Sequence, residues 1–157
     1  MSKPKNDGAP TNARATSRSL PIALLRARER VMGPIRAMLS DAGVTEQQWR
    51  VLRVLAERGA VDATEIANEA CLLMPSLTRI LQVLEKKQLC SRRPHPTDRR
   101  RILIEISETG HALIETNIPE SNRIFTQLEA TYGKDRIEAL LDLLNDLPEP
   151  GQALRPK

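Results

Sequence analysis

The stretch that most constrains the chain runs from Leu72 to Ile106, LLMPSLTRILQVLEKKQLCSRRPHPTDRRRILIEI. Leu77, Ile80, Leu81 and Leu84 fall at the i, i+3, i+4, i+7 spacing of one buried helix face. The opposite face carries Ser76, Thr78, Arg79, Gln82 and Lys86, side chains able to reach base edges and phosphates. Pro75 suits the first turn of such a helix, where its missing N–H costs nothing. After Leu89 the pattern changes to a strand over Cys90 to Arg93, then a turn containing Pro94, Pro96, Thr97 and Asp98. Arg99, Arg100 and Arg101 follow, and then a β-prone run from Ile102 to Ile106. A helix with a polar outer face, followed by a hairpin with a cationic tip, is the outline of a winged helix-turn-helix. The fold class expected is mostly α with a small β-hairpin wing.

Charge supports that outline. The chain has 157 residues and a net charge of +4, unevenly spread. Cys71 to Ile106 holds eight Lys/Arg against three Asp/Glu, whereas Ser107 to Pro150 holds three against nine. A basic block beside an acidic one points to a polyanion-binding face, double-stranded DNA above all. With one Trp, one Tyr and one Phe, the core must be aliphatic.

Periodicity places the remaining elements. Residues 1–18 and 149–157 read as tails, with a single domain over 19–148 between them. Leu20 to Ser40 is a helix with broad apolar coverage, more than one small domain can bury, so a partner chain is implied. Gly33-Pro34 should kink or interrupt it. Thr45 and Gln48 form a capping box ahead of Trp49, Val51, Leu52, Val54 and Leu55. Asp62 caps a short helix containing Ile66, Ala67 and Ala70, which completes the helix-turn-helix. Ser107 caps a helix to about Tyr132, with a kink expected at Pro119. Lys134 to Leu147 carries one clean apolar stripe and should pack on a second copy. Dimerisation helices are therefore expected at about 20–40 and 107–147, and a DNA-binding lobe at about 45–106.

Leu77-Thr78-Arg79, Asp98-x-Arg100 and Ser107-x-x-Gly110 occur in an order and spacing that resemble the MarR family of bacterial transcription regulators. The resemblance covers about Leu20 to Leu147. It is strongest to regulators of homoprotocatechuate and related aromatic-acid operons, through residues 25–29, 45–50 and 70–78. It implies a two-fold dimer on a palindromic operator, with each recognition helix in a major groove and each wing in a minor groove. Ser76, Thr78, Arg79 and Gln82 would face bases, and Lys86, Arg92 and Arg93 phosphates. Arg100 would enter the minor groove with Asp98 holding it by a charge-assisted hydrogen bond. Arg99 and Arg101 alternate with it, either as phosphate contacts or as a solvated tip.

Such regulators commonly release DNA on binding a small aromatic acid, which needs a cation near apolar surface. Arg28 is the first candidate clamp and Arg26 the second, with Trp49, Arg50 and His111 as possible liners. A CoA thioester of an aromatic acid, such as an aroyl- or hydroxycinnamoyl-CoA, would add phosphates for Arg26, Arg30 or Arg36. A catalytic role finds no support, because Cys71 and Cys90 have no histidine close in sequence and no Gly-rich phosphate loop is present. The cysteines sit in apolar settings and read as buried small hydrophobes. His95 and His111 form no ligand cluster for a metal, and no cofactor is expected. A non-regulatory dimerisation module would leave the arginine tip unexplained. No run approaches the roughly 20 apolar residues of a membrane span, so a cytoplasmic location is expected.

Overall fold

The computed structural model describes residues 15–98 and 100–148. The tails expected at residues 1–18 and 149–157 fall largely outside the described residues, except that Thr16–Arg18 form a turn of 3-10 helix. The chain divides into two compact units, residues 1–33 and 34–157. In the first, the N-terminal part of helix α1 (Leu20–Asp41) exposes Leu20, Leu24 and Leu25. None of the helices described is long and apolar enough to cross a membrane.

The second unit holds the end of α1, then α2 (Glu46–Arg58), α3 (Ala63–Glu69), α4 (Met74–Lys86), strands β1 (Cys90–Pro94) and β2 (Ile102–Ile106), α5 (Glu108–Tyr132) and α6 (Lys134–Asn145). This is the mostly helical fold with a two-stranded antiparallel wing that the spacing predicts. The cap residues predicted are the cap residues found. Thr45 Oγ accepts from Gln48 N–H at 3.2 Å, and Gln48 Oε1 accepts from Thr45 N–H at 3.1 Å. Asp62 accepts from Glu65 N–H at 3.0 Å. Val51, Leu52 and Leu55 of α2, Ile66 of α3, and Leu77 and Leu84 of α4 are fully buried, so three helices share one aliphatic core.

β1 and β2 pair in register from Cys90↔Ile106 to Pro94↔Ile102. Val61 adds a single bridge to Ile104, with both N–H groups donating at 3.0 and 2.8 Å. The loop after α2 is thereby tied to the inner strand of the wing.

Two expectations need correction. The interruption offered at Gly33-Pro34 does not occur: α1 runs through Pro34, as α5 runs through Pro119. Both lie at exposed positions, where water can satisfy the carbonyl that each proline leaves without a donor. Cys71 is exposed, not buried. Its φ of 51° puts it in the left-handed turn between α3 and α4, which carries its side chain away from the core that buries Ala70. Cys90 is buried, and burial pushes its thiol up to about 11. The apolar stripe of α6 is left open at three of its positions among the described residues: Leu140, Leu141 and Leu147 are all exposed.

The Ser107-x-x-Gly110 signature has a structural cause. Ser107 caps α5 by accepting from Gly110 N–H at 3.0 Å, and its hydroxyl donates to the Gln88 carbonyl at 2.6 Å. A Cβ at Gly110 would stand 2.2 Å from the Leu89 carbonyl oxygen and 2.6 Å from Ile106 Cγ1. Gly110→Ala is therefore expected to destabilise the fold by about 2 kcal/mol, the scale of overpacking against backbone. Urea unfolding followed by circular dichroism measures it, and an unchanged midpoint would contradict the close approach.

Candidate nucleic-acid interface

The helix-turn-helix is made by α3, a tight turn and α4. The turn closes through Leu72 N–H to the Ala67 carbonyl at 2.8 Å and Cys71 N–H to the Asn68 carbonyl at 3.2 Å. Because Leu77, Ile80, Leu81 and Leu84 take the inner face, the outer face of α4 is left to Thr78, Arg79, Gln82 and Lys86, all exposed. Ser76 lies roughly 100° from the middle of that face at 100° per residue, and it is half-buried. Thr78 Oγ1 donates to the Met74 carbonyl at 3.0 Å, which commits its proton inside the helix.

The wing tip is built by main-chain and side-chain hydrogen bonds. His95 N–H donates to the Arg101 carbonyl at 2.9 Å, and Arg101 N–H donates to the Asp98 carbonyl at 3.0 Å. His95 Nδ1 accepts from the amides of Thr97 and Asp98, each at 3.3 Å. Asp98 does hold Arg100, but by the main chain. Its carboxylate accepts from Arg100 N–H at 3.0 Å, an Asx-type turn. The guanidinium is thus left exposed and out of the carboxylate's hold. Arg99 lies outside the described residues.

Ion pairs sort the remaining cations. Arg92 donates to Glu85 and Arg93 to Glu105, each at 2.7 Å. Arg101 turns inward and pairs with Asp62, so it ties the base of the wing to the start of α3. Among the described residues, Arg79, Lys86 and Arg100 have no such partner. On this lobe, charge without a carboxylate partner is therefore left on the outer face of α4, at Lys87 just beyond its end, where the ammonium donates only to the Gly43 carbonyl, and at the wing tip.

The effector candidates fall in both units. Arg26, Arg28 and Arg30 are exposed on α1, with Arg28 donating to Glu29 at 3.3 Å. In the second unit, Trp49 is buried at 8% exposure and serves the core. Arg50 donates to the Ala70 carbonyl at 2.8 Å, and its Nε is buried with no hydrogen-bond partner. His111 is exposed on the first turn of α5. Arg53, which the sequence reading passed over, is the cation one helical turn from Trp49, and it pairs with Glu57. An open cleft of about 420 Å³ lies between the end of α1 and α5, lined by Met38, Asp41, Asn117, Glu120 and Arg123 among others. Trp49, Arg50 and His111 do not line it.

A winged helix-turn-helix with free cations on its recognition helix and wing defines a DNA-binding protein, and comparison with known proteins agrees. The MarR family model matches residues 44–102. The HTH-type transcriptional regulator FarR of Neisseria gonorrhoeae is 39% identical over 136 residues, 87% of this chain and 93% of that protein. The homoprotocatechuate degradative operon repressor of Escherichia coli is 37% identical over 128 residues, 82% of this chain and 86% of that one. Among solved structures, NadR in complex with 4-hydroxyphenylacetate superposes with a TM-score of 0.75 at 37% identity, covering 85% of this chain and 95% of that one. CouR bound to a 23-mer DNA duplex gives 0.75 at 30% identity, with 82% and 92% covered. The chain belongs to the MarR family of transcription regulators. Its named relatives are regulators, not enzymes, which implies a regulatory rather than a catalytic role.

The Asp62 contact carries a pH dependence. The Glu65 amide first, and then the Arg101 guanidinium, hold the Asp62 carboxyl below its ordinary value. A carboxyl lowered in the folded state stabilises the fold above the unfolded value of about 4, and that contribution is lost as pH falls through the folded value. Arg101→Ala is expected to move the Asp62 titration upward while the Glu65 cap keeps it below ordinary. Carboxyl-carbon NMR titration tests this, and an unmoved titration would show that the pair does not persist in solution.

Proposed function

We propose that this regulator binds a palindromic operator as a homodimer and represses an operon for catabolism of an aromatic or phenolic acid, with the acid itself as the releasing effector. The observation that carries the DNA half is the exposed cationic and polar set on one lobe: Thr78, Arg79, Gln82 and Lys86 on α4, with Arg100 at the wing tip. In this reading α4 lies in the major groove with Arg79 at a base edge, and Lys86 meets phosphate. Arg100 enters the minor groove, and Arg92 and Arg93 reach phosphates from beside their carboxylate partners. The uncovered apolar residues of α6 support the dimer. The effector half is supported by relatives. One is named for the homoprotocatechuate operon, and one is solved with 4-hydroxyphenylacetate, an aromatic acid. Arg28 is the clamp favoured, with Arg26 and Arg30 beside it in sequence.

The test is a mobility shift on the protein's own upstream DNA, repeated with aromatic acids and with their CoA thioesters. Release by free 4-hydroxyphenylacetate or a similar acid is expected. Release only by a thioester would replace the acid with its activated form. Arg79→Ala is expected to weaken binding by about 1–3 kcal/mol at one base pair, whereas an equal loss on random DNA would reassign Arg79 to phosphate. Arg28→Ala is expected to leave operator affinity intact and blunt release by the acid. An unchanged effector response would remove Arg28 from the site.

A further inference from the structure

Leu73 is the most exposed large apolar side chain among the described residues, at 77%. Met74 beside it is 45% exposed, and Pro75 is exposed as well. The core has no use for them, because Leu77, Ile80, Leu81 and Leu84 already fill the inner face of α4. Their position is unusual for apolar groups. Leu73 is the N-cap of α4, where no side chain satisfies the first amides. Helices α2, α3 and α5 open instead on Thr45, Asp62 and Ser107, each accepting an amide proton. The chain therefore forgoes on its recognition helix a cap that it uses on three others.

What lies next to this apolar start completes the argument. Thr78 gives its hydroxyl proton to the Met74 carbonyl, so toward an outside partner it keeps only oxygen lone pairs and a methyl group. Leu73, Met74, Pro75 and the Thr78 side chain thus offer an outside partner no side-chain proton, and the one other polar side chain of the first turn, Ser76, is half-buried and lies to the side of the outer face. Arg79 and Gln82, the donors, lie further along the helix. On the floor of the major groove the apolar group that distinguishes one base pair from another is the C5-methyl of thymine. We propose that Leu73 and Met74 are specificity-determining residues that read thymine methyl groups in each operator half-site. The proposal rests on the DNA-binding reading above and deepens it.

The operator is first located by footprinting, and each of its thymines is then replaced by uracil, which removes the methyl and nothing else. The wild-type protein is expected to lose about fourfold in affinity per methyl read, the scale of one buried carbon. Leu73→Ser supplies the missing cap and so protects the start of the helix. It is expected to bind the thymine operator about fourfold more weakly and to lose the distinction between thymine and uracil at one position. Met74→Ala, a second variant with no change of cap, is expected to do the same at its own position. Equal wild-type affinity for thymine and uracil throughout overturns the inference and leaves the DNA-binding reading intact. An unchanged thymine-to-uracil ratio in both variants does the same. A Leu73→Ser variant whose sedimentation changes while that ratio does not would assign the patch to a second copy of the chain, and would also overturn it. Failure of the wild type to bind any sequence selectively would overturn both readings together.

Discussion

The second unit turns on one crowded point, where the start of α5 passes the end of α4. Three groups meet there. The Leu89 carbonyl accepts from Ser107 N–H at 3.1 Å. The Ser107 hydroxyl bridges the Gln88 carbonyl and the Gly110 amide. Gly110 comes so near Leu89 that any side chain would collide with its oxygen. Gln88 takes a φ of 58° to make the turn, a conformation tolerated because these bonds over-determine it. The long helix thus cannot shift by its first turn without disturbing the segment that leads from α4 into the wing. Packed elements joined this way respond as a body rather than by gradual deformation.

The basic block owes its directionality to acids placed in and beside it. A run of eight cations in isolation would repel itself and attract any polyanion. Glu85, Glu105 and Asp62 neutralise Arg92, Arg93 and Arg101, and each of those pairs also joins two elements of structure. Such half-exposed pairs contribute little to stability, of order 0–1 kcal/mol each. Their larger effect is to leave the unpaired charge along α4, with Lys87 just past its end, and at the wing tip, instead of over the whole lobe.

Much of this was legible in the sequence, because it depends on local chemistry. The caps at Thr45, Asp62 and Ser107 follow from residues three apart, and the buried face of α4 follows from its spacing. The wing follows from a period-two run beside a proline-bounded turn. What was not legible depends on residues far apart. Arg93 meets Glu105 because the strand register brings them together, and Arg101 meets Asp62 across 39 positions. Asp98 was expected to hold a guanidinium and holds an amide instead, a choice decided by the turn and not by charge. An interruption at Pro34 stayed open because the sequence shows the lost donor but not which side of the helix faces water. The exposure of Cys71 follows from a left-handed turn that its neighbours do not announce.

The bridge between Val61 and Ile104 bears on a different hazard. Ile102 to Ile106 is the segment of this chain best suited to cross-β stacking, short, β-branched and nearly uncharged. In the folded protein one of its hydrogen-bonding edges is filled by β1, and the other is occupied at its centre by Val61. The outer strand β1 carries Arg92 and Arg93, and arginines precede the segment in sequence, the arrangement of charged gatekeepers that keeps sheet edges from recruiting other chains. The contact that fastens the wing therefore also hides the stretch most able to aggregate, and the same two hydrogen bonds serve both ends.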